Sequence, residues 1–175
     1  MRGIVKLGGF AALTLFLVGG LTSVAYGSNN GDLAPDGINV TAAGPASAPR
    51  AVFFGGAHGS ITPGDLFYVD VSESEGEFAA TLYLTNPSEL THYVKYLIFR
   101  TSARIESADG SWSAYDTGVN ELYLSLQNSA VKFFLTGGAR YKITLDSGDY
   151  YCLPFRAGQA RELPRFDLAV VEGGN

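Results

Sequence analysis

The 175-residue sequence predicts an all-β fold, an antiparallel β-sandwich of about 8–9 strands. Three observations carry this. Short apolar runs are separated by clusters of turn residues. Apolar and polar residues alternate with period two inside most runs, the mark of half-buried strands. The composition, with 22 Gly, 10 Tyr and 11 Phe against one Met, favours pleated structure. No stretch sustains helical spacing between caps, and no repeat of fixed period is present.

Before the strands comes an expected signal peptide, residues 1–27. Arg2 and Lys6 form a positive start, and an apolar stretch follows. Small residues then offer cleavage after Ala25 or Gly27. Removing Arg2 and Lys6 with it moves the net charge from −5 to −7. The reading is therefore of a secreted chain, extracellular or at the cell surface, with no stable membrane span after cleavage. Residues 28–50 are rich in Ala, Gly, Pro, Asn and Ser, and read as a flexible arm or linker. Within it Ile38, Val40 and Thr41 form a strand-like island that is a candidate self-assembly arm. Residues 51–175 form the β domain.

Within that domain the expected strands follow in order. Residues 51–54 end at Gly55-Gly56, and 66–71 follow a Pro-Gly-Asp turn at 63–65. In 78–85, Phe78, Ala80, Leu82 and Leu84 share one face, with Ala79, Thr81, Tyr83 and Thr85 on the other. Residues 93–105 make a long run that stops at Ala108-Asp109-Gly110. Residues 122–126, 131–136, 141–145, 150–155 and 166–171 complete the set. Residues 146–149, Asp-Ser-Gly-Asp, read as the polar loop of a β-hairpin. Trp112 reads as part of a Gly/Ser-rich turn, and His58 as part of a flexible loop. Alternation assigns Phe78, Leu82, Leu84, Leu122, Leu124, Phe133, Ile143, Leu145, Phe166 and Leu168 to one core. Cys152, the only cysteine, has apolar neighbours and is expected buried and unreactive.

Two resemblances narrow the fold to a jelly-roll or immunoglobulin-like sandwich. Asp146-Ser147-Gly148-Asp149-Tyr150-Tyr151-Cys152 resembles the Asp-x-Gly-x-Tyr-x-Cys run of immunoglobulin variable domains, without a second cysteine to pair with. Thr62-Pro63-Gly64-Asp65, then Val69 and Val71, then the run from Ala80 to Leu90, is similar to exported bacterial β-sandwiches of the TasA/camelysin group. That resemblance implies a jelly roll, export and assembly into extracellular fibres.

Charge and motifs exclude more than they assign. An acidic chain with scattered Arg and Lys does not suit nucleic-acid binding. A low charged fraction of 17% with 46% apolar residues excludes a disordered chain. No His-Glu-x-x-His and no Gly-x-Ser-x-Gly is present, and His58 and His92 are far apart in sequence. Asn30, Asp32, Asp36 and Asn39, and separately Glu106, Asp109 and Asp116, read as turn formers rather than calcium ligands. No catalytic residue, metal or cofactor is assigned. The expected function is a non-enzymatic protein of the envelope or matrix that works through protein contacts or self-association. One alternative is a carbohydrate-binding module using a face formed by Tyr68, Tyr83, Tyr93, Tyr96, Tyr115, Tyr123 and Tyr151. Another is a secreted hydrolase with an unrecognised carboxylate pair.

Overall fold

Alternation along the chain becomes two antiparallel sheets. The computed structural model describes residues 37–44, 46–50, 56, 58–115, 120–124, 129–154 and 163–173. The expected signal segment, the run at 51–54, and Asn30, Asp32, Asp36 and Asp116 lie outside these residues. Ten strands are described: β1 (Asn39–Ala42), β2 (His58–Ile61), β3 (Gly64–Asp70), β4 (Glu77–Leu84), β5 (Val94–Glu106), β6 (Trp112–Ala114), β7 (Asn120–Tyr123), β8 (Ala130–Thr136), β9 (Arg140–Cys152) and β10 (Phe166–Glu172). The one described helix is a single turn, α1 (Pro87–Leu90). No helix among the described residues is long and apolar enough to cross a membrane.

The larger sheet has seven strands, ordered β1-β3-β9-β5-β6, with β2 added along β9 and β7 along β5. The smaller has three, ordered β10-β4-β8. The inward side chains of both form one core. Phe78, Leu82, Leu84, Leu122, Phe133, Ile143, Leu145, Phe166 and Leu168 are all buried in it, and Leu124 packs on its margin. Phe99 of the large sheet meets Phe166 of the small one edge to face, ring centroids 4.9 Å apart. Each such side chain contributes roughly 1.5–3 kcal/mol of apolar burial.

Both ends of the molecule are tied by polar groups. Where the chain crosses from β8 to β9, the Tyr141 hydroxyl donates to the Thr136 carbonyl at 2.8 Å and accepts from the Thr136 amide at 3.2 Å. Burial pushes the Tyr141 phenol up to about 12, so it stays protonated and donating. The turn after β3 is laced to the same corner, with the Gly138 amide donating to the Val71 carbonyl and the Gly137 amide to that of Gly76. At the opposite end, buried Asn86 holds the chain entering β10. Its amide donates to the Leu163 carbonyl and its Oδ1 accepts from the Arg165 amide, both at 2.9 Å.

Several expectations are corrected. Residues 146–149 are not a hairpin loop, because β9 runs unbroken through them and pairs with β5 on one side and β2 on the other. Ser147, Asp149 and Tyr151 face outward while Gly148, Tyr150 and Cys152 are buried, so alternation persists. The register shifts at two places, between Val94 and Tyr96 and opposite Arg100 and Thr101, and at the second Asp146 is inserted as a bulge. His58 opens strand β2 rather than lying in a loop, and Trp112 opens strand β6 rather than lying in a turn. The described residues hold ten strands instead of about 8–9. The described part of residues 28–50 lies along the sheet, where Asn39–Ala42 form a short first strand. Val40 is opposite Val69 and Thr41 opposite Tyr68, with Ile38 packed against the core just before β1. The Asp65 amide donates to the Ser47 carbonyl at 2.8 Å, and the Thr62 amide to that of Arg50 at 2.9 Å. Gly64 permits this approach, since a Cβ there would run into the backbone of Ser47, Ala48 and Pro49.

Two outcomes follow. Leu82 is wholly buried, so Leu82→Ala should lower unfolding stability by about 2–5 kcal/mol in urea titration. An unchanged midpoint would contradict its place in the core. Cys152 is wholly buried at the end of β9, so a thiol reagent should label native protein far more slowly than urea-unfolded protein. Equal rates would contradict the inward setting of the last residue of β9.

Candidate functional site

Period two delivers every second side chain of the large sheet to its outer face, and four cations among them are paired. Arg140 and Lys142 project from β9, Arg100 and Arg104 from β5, and each finds carboxylates on a neighbouring strand. Arg140 meets Asp70 at 3.2 Å and Glu106 at 3.0 Å. Lys142 meets Asp65 at 3.2 Å, the least exposed of these pairs. Arg104 meets Asp146 at 3.5 Å, so the bulged residue supplies a partner. Arg100 lies between Glu121 at 3.0 Å and Asp149 at 2.8 Å. The Tyr123 hydroxyl donates to the same Glu121. Exposed pairs contribute about 0.2–1 kcal/mol each, so this lattice sets charge pattern more than stability.

At one end of this face is a shallow cavity of about 180 Å³. Asn39 and Thr41 border it from β1, Tyr68 and Asp70 from β3, Arg140 from β9 and Trp112 from β6. Trp112 reaches back over Lys142, whose Nζ stands 5.0 Å from the indole centroid. It ends 6.1 Å from the Tyr68 ring, tilted by 55°. The Tyr68 phenol donates to Asp65 at 2.8 Å, and burial, with that carboxylate, raises its pKa. Asp70 accepts from the Ser72 hydroxyl at 2.6 Å and the Ser72 amide at 3.1 Å. Those bonds, led by the hydroxyl and joined by Arg140, hold its carboxyl below the usual range.

The other end of the face carries His58, Tyr96 and Tyr151. The His58 ring lies 4.5 Å from Tyr151 and 6.0 Å from Tyr96, and Lys95 stands 6.0 Å from the Tyr151 ring. Of the seven tyrosines in the expected binding face, Tyr96 alone is exposed. Tyr68, Tyr83, Tyr93, Tyr115, Tyr123 and Tyr151 are half-buried and do not form one row. Tyr83 lies on the other sheet, bonded to Asp167 at 3.1 Å. Tyr115 packs on Tyr141, centroids 4.7 Å apart. His92 lies in the turn before β5, and no group of three or more His, Cys, Asp and Glu among the described residues could hold a metal ion.

A different surface belongs to the small sheet. Register sets Val171, Ala79 and Phe134 side by side across β10, β4 and β8. Phe134 is 66% exposed and Val171 52% exposed. The alternation of Val131, Phe133 and Leu135 with Lys132 and Phe134 carries that signal in the sequence. The ion-pair lattice was equally readable at period two from Arg140 and Lys142, but its partners come from strands distant in sequence. No protein-family model and no curated protein matches this chain.

Asp70 gives a pH outcome. Its folded pKa is depressed, so its contribution is present above the ordinary carboxyl range and lost as pH falls through the folded value. Asp70→Asn should therefore lower stability at neutral pH, by about 0.5–1 kcal/mol for an exposed pair. The deficit should shrink as the pH drops below the ordinary Asp range. Thermal melts across that range check it, and a deficit that grows on acidification would contradict it.

Proposed function

We propose that this chain is an exported, non-enzymatic β-sandwich protein of the cell envelope or extracellular matrix, acting through protein contacts and associating with further copies of itself. The seat of β1 carries the reading. It is a four-residue strand at the edge of the large sheet, paired with β3 and with no strand on its other side among the described residues. The four pairs it makes with its own β3 are equally available on a neighbouring copy. Exchange replaces each pair by an identical one, so concentration and the hinge decide between them. Strand addition in one direction does not close, and yields a row of subunits.

Other features support the same reading. Exposed Phe134 and Val171, on either side of buried Ala79, are suited to covering by another protein surface. The Ser72 hydroxyl, joined by Arg140, favours the charged form of Asp70 and leaves it a poor proton donor for hydrolysis. Crossing between sheets at a corner tied by a tyrosine hydroxyl supports a jelly-roll or immunoglobulin-like sandwich. Residues 1–27 support export through their charged start, apolar middle and small-residue end.

Cysteines at Val40 and Val69, which lie opposite each other, test this. The double variant V40C/V69C, without residues 1–27, is concentrated, oxidised and run on a non-reducing gel. Exchange predicts a ladder of covalent multimers, and light scattering should show matching assemblies that a chain starting at Ala51 does not form. Closure within single chains only, with monomers at every concentration, would contradict self-association.

A further inference from the structure

We infer that the cavity on the outer face of the large sheet binds one neutral sugar ring, a hexopyranose unit at the end of a glycan. This goes beyond the protein-contact reading and does not depend on it. Its walls and its polar groups come from four strands that meet only in the folded sheet.

The walls select the ligand class. Tyr68 and Trp112 pack against each other at 55° with centroids 6.1 Å apart, so they leave no parallel slot between them and offer the cavity an aromatic wall. Two rings set this way cannot sandwich a flat heterocycle between parallel faces, whereas the C–H face of a chair-shaped sugar needs only one aromatic face to pack on. The cavity of about 180 Å³ is smaller than the usual roughly 300–1,000 Å³ of drug-sized pockets, so it holds one ring with the rest of a chain outside.

Charge excludes an anion. Arg140 is held by Asp70 and Glu106, and Lys142 by Asp65, so three carboxylates surround two cations. What remains is a ring of donors and acceptors: the Asn39 amide, the Thr41 hydroxyl, the Asp70 carboxylate and the Arg140 guanidinium. Neighbouring sugar hydroxyls each give one hydrogen bond and take others, and such a mixed set serves them. The set is also preorganised. Ser72 and Arg140 fix Asp70, and Lys142 lies against the indole. Because β1 brings Asn39 and Thr41, the cavity is complete whichever copy supplies that strand.

Trp112 is the only tryptophan in the chain, so its emission reports on this cavity alone. The purified chain is titrated with the methyl glycosides of glucose, galactose, mannose and N-acetylglucosamine, and with sodium phosphate as the anion. At least one glycoside should change the emission saturably, with a Kd on the order of millimolar, and phosphate should not. Asn39→Ala should weaken that glycoside by roughly tenfold with the thermal melt unchanged. If Asn39→Ala disturbs β1, Thr41→Val supplies the same comparison. Four flat glycoside titrations, saturation by phosphate instead, or unchanged binding in a folded variant would each overturn the assignment.

Discussion

The structure depends on the pairing of β5 with β9. Each is 13 residues long, and their register runs from Val94 opposite Cys152 to Ile105 opposite Tyr141. Every other strand of the large sheet except β1 is built directly on one of these two. The inward side chains of the pair, among them Leu97, Phe99, Ala103, Ile143, Leu145 and Tyr150, are the floor on which the small sheet closes. The outward ones carry the cations of the ion-pair lattice.

The bulge at Asp146 reconciles those two roles. A strand of this length twists, and one extra residue lets the twist accumulate without turning the apolar face outward. Without it, either Gly148, Tyr150 and Cys152 or Tyr141, Ile143 and Leu145 would face solvent, since a one-residue slip exchanges the faces. Buried Asn86 and the Tyr141 hydroxyl then fix where the chain leaves one sheet for the other. Edge strands added outside this frame are short, and the surface features lie on or beside them: β1 and β6 border the cavity, and β8 and β10 carry Phe134 and Val171.

Much of this was legible in the sequence. Alternation in 78–85, 131–136 and 141–145 assigned the core faces, because one buried face forces a strict period. Two short strands were not legible, for a physical reason. His58-Gly59-Ser60-Ile61 has a single strand-forming side chain, Ile61, yet Tyr150 lies directly over Gly59 and supplies the missing bulk from the next strand. Trp112-Ser113-Ala114 is likewise ordered by its partner β5. Asp-Ser-Gly-Asp at 146–149 has turn composition, and only pairing on both sides makes it strand. The cavity was illegible for another reason. Asn39, Tyr68, Trp112 and Arg140 lie far apart in the chain and meet through register.

Native-state hydrogen exchange tests the central pairing most directly. If β9 is one strand through its bulge, the amides of Ser147 and Asp149 should open together with those of Ile143 and Tyr150, in the slowest-exchanging unit of the protein. Exchange at 147–149 as fast as in the exposed turn at 107–110, with protection on either side, would restore a hairpin loop. It would then remove the frame on which the lattice, the cavity and the edge strands are placed.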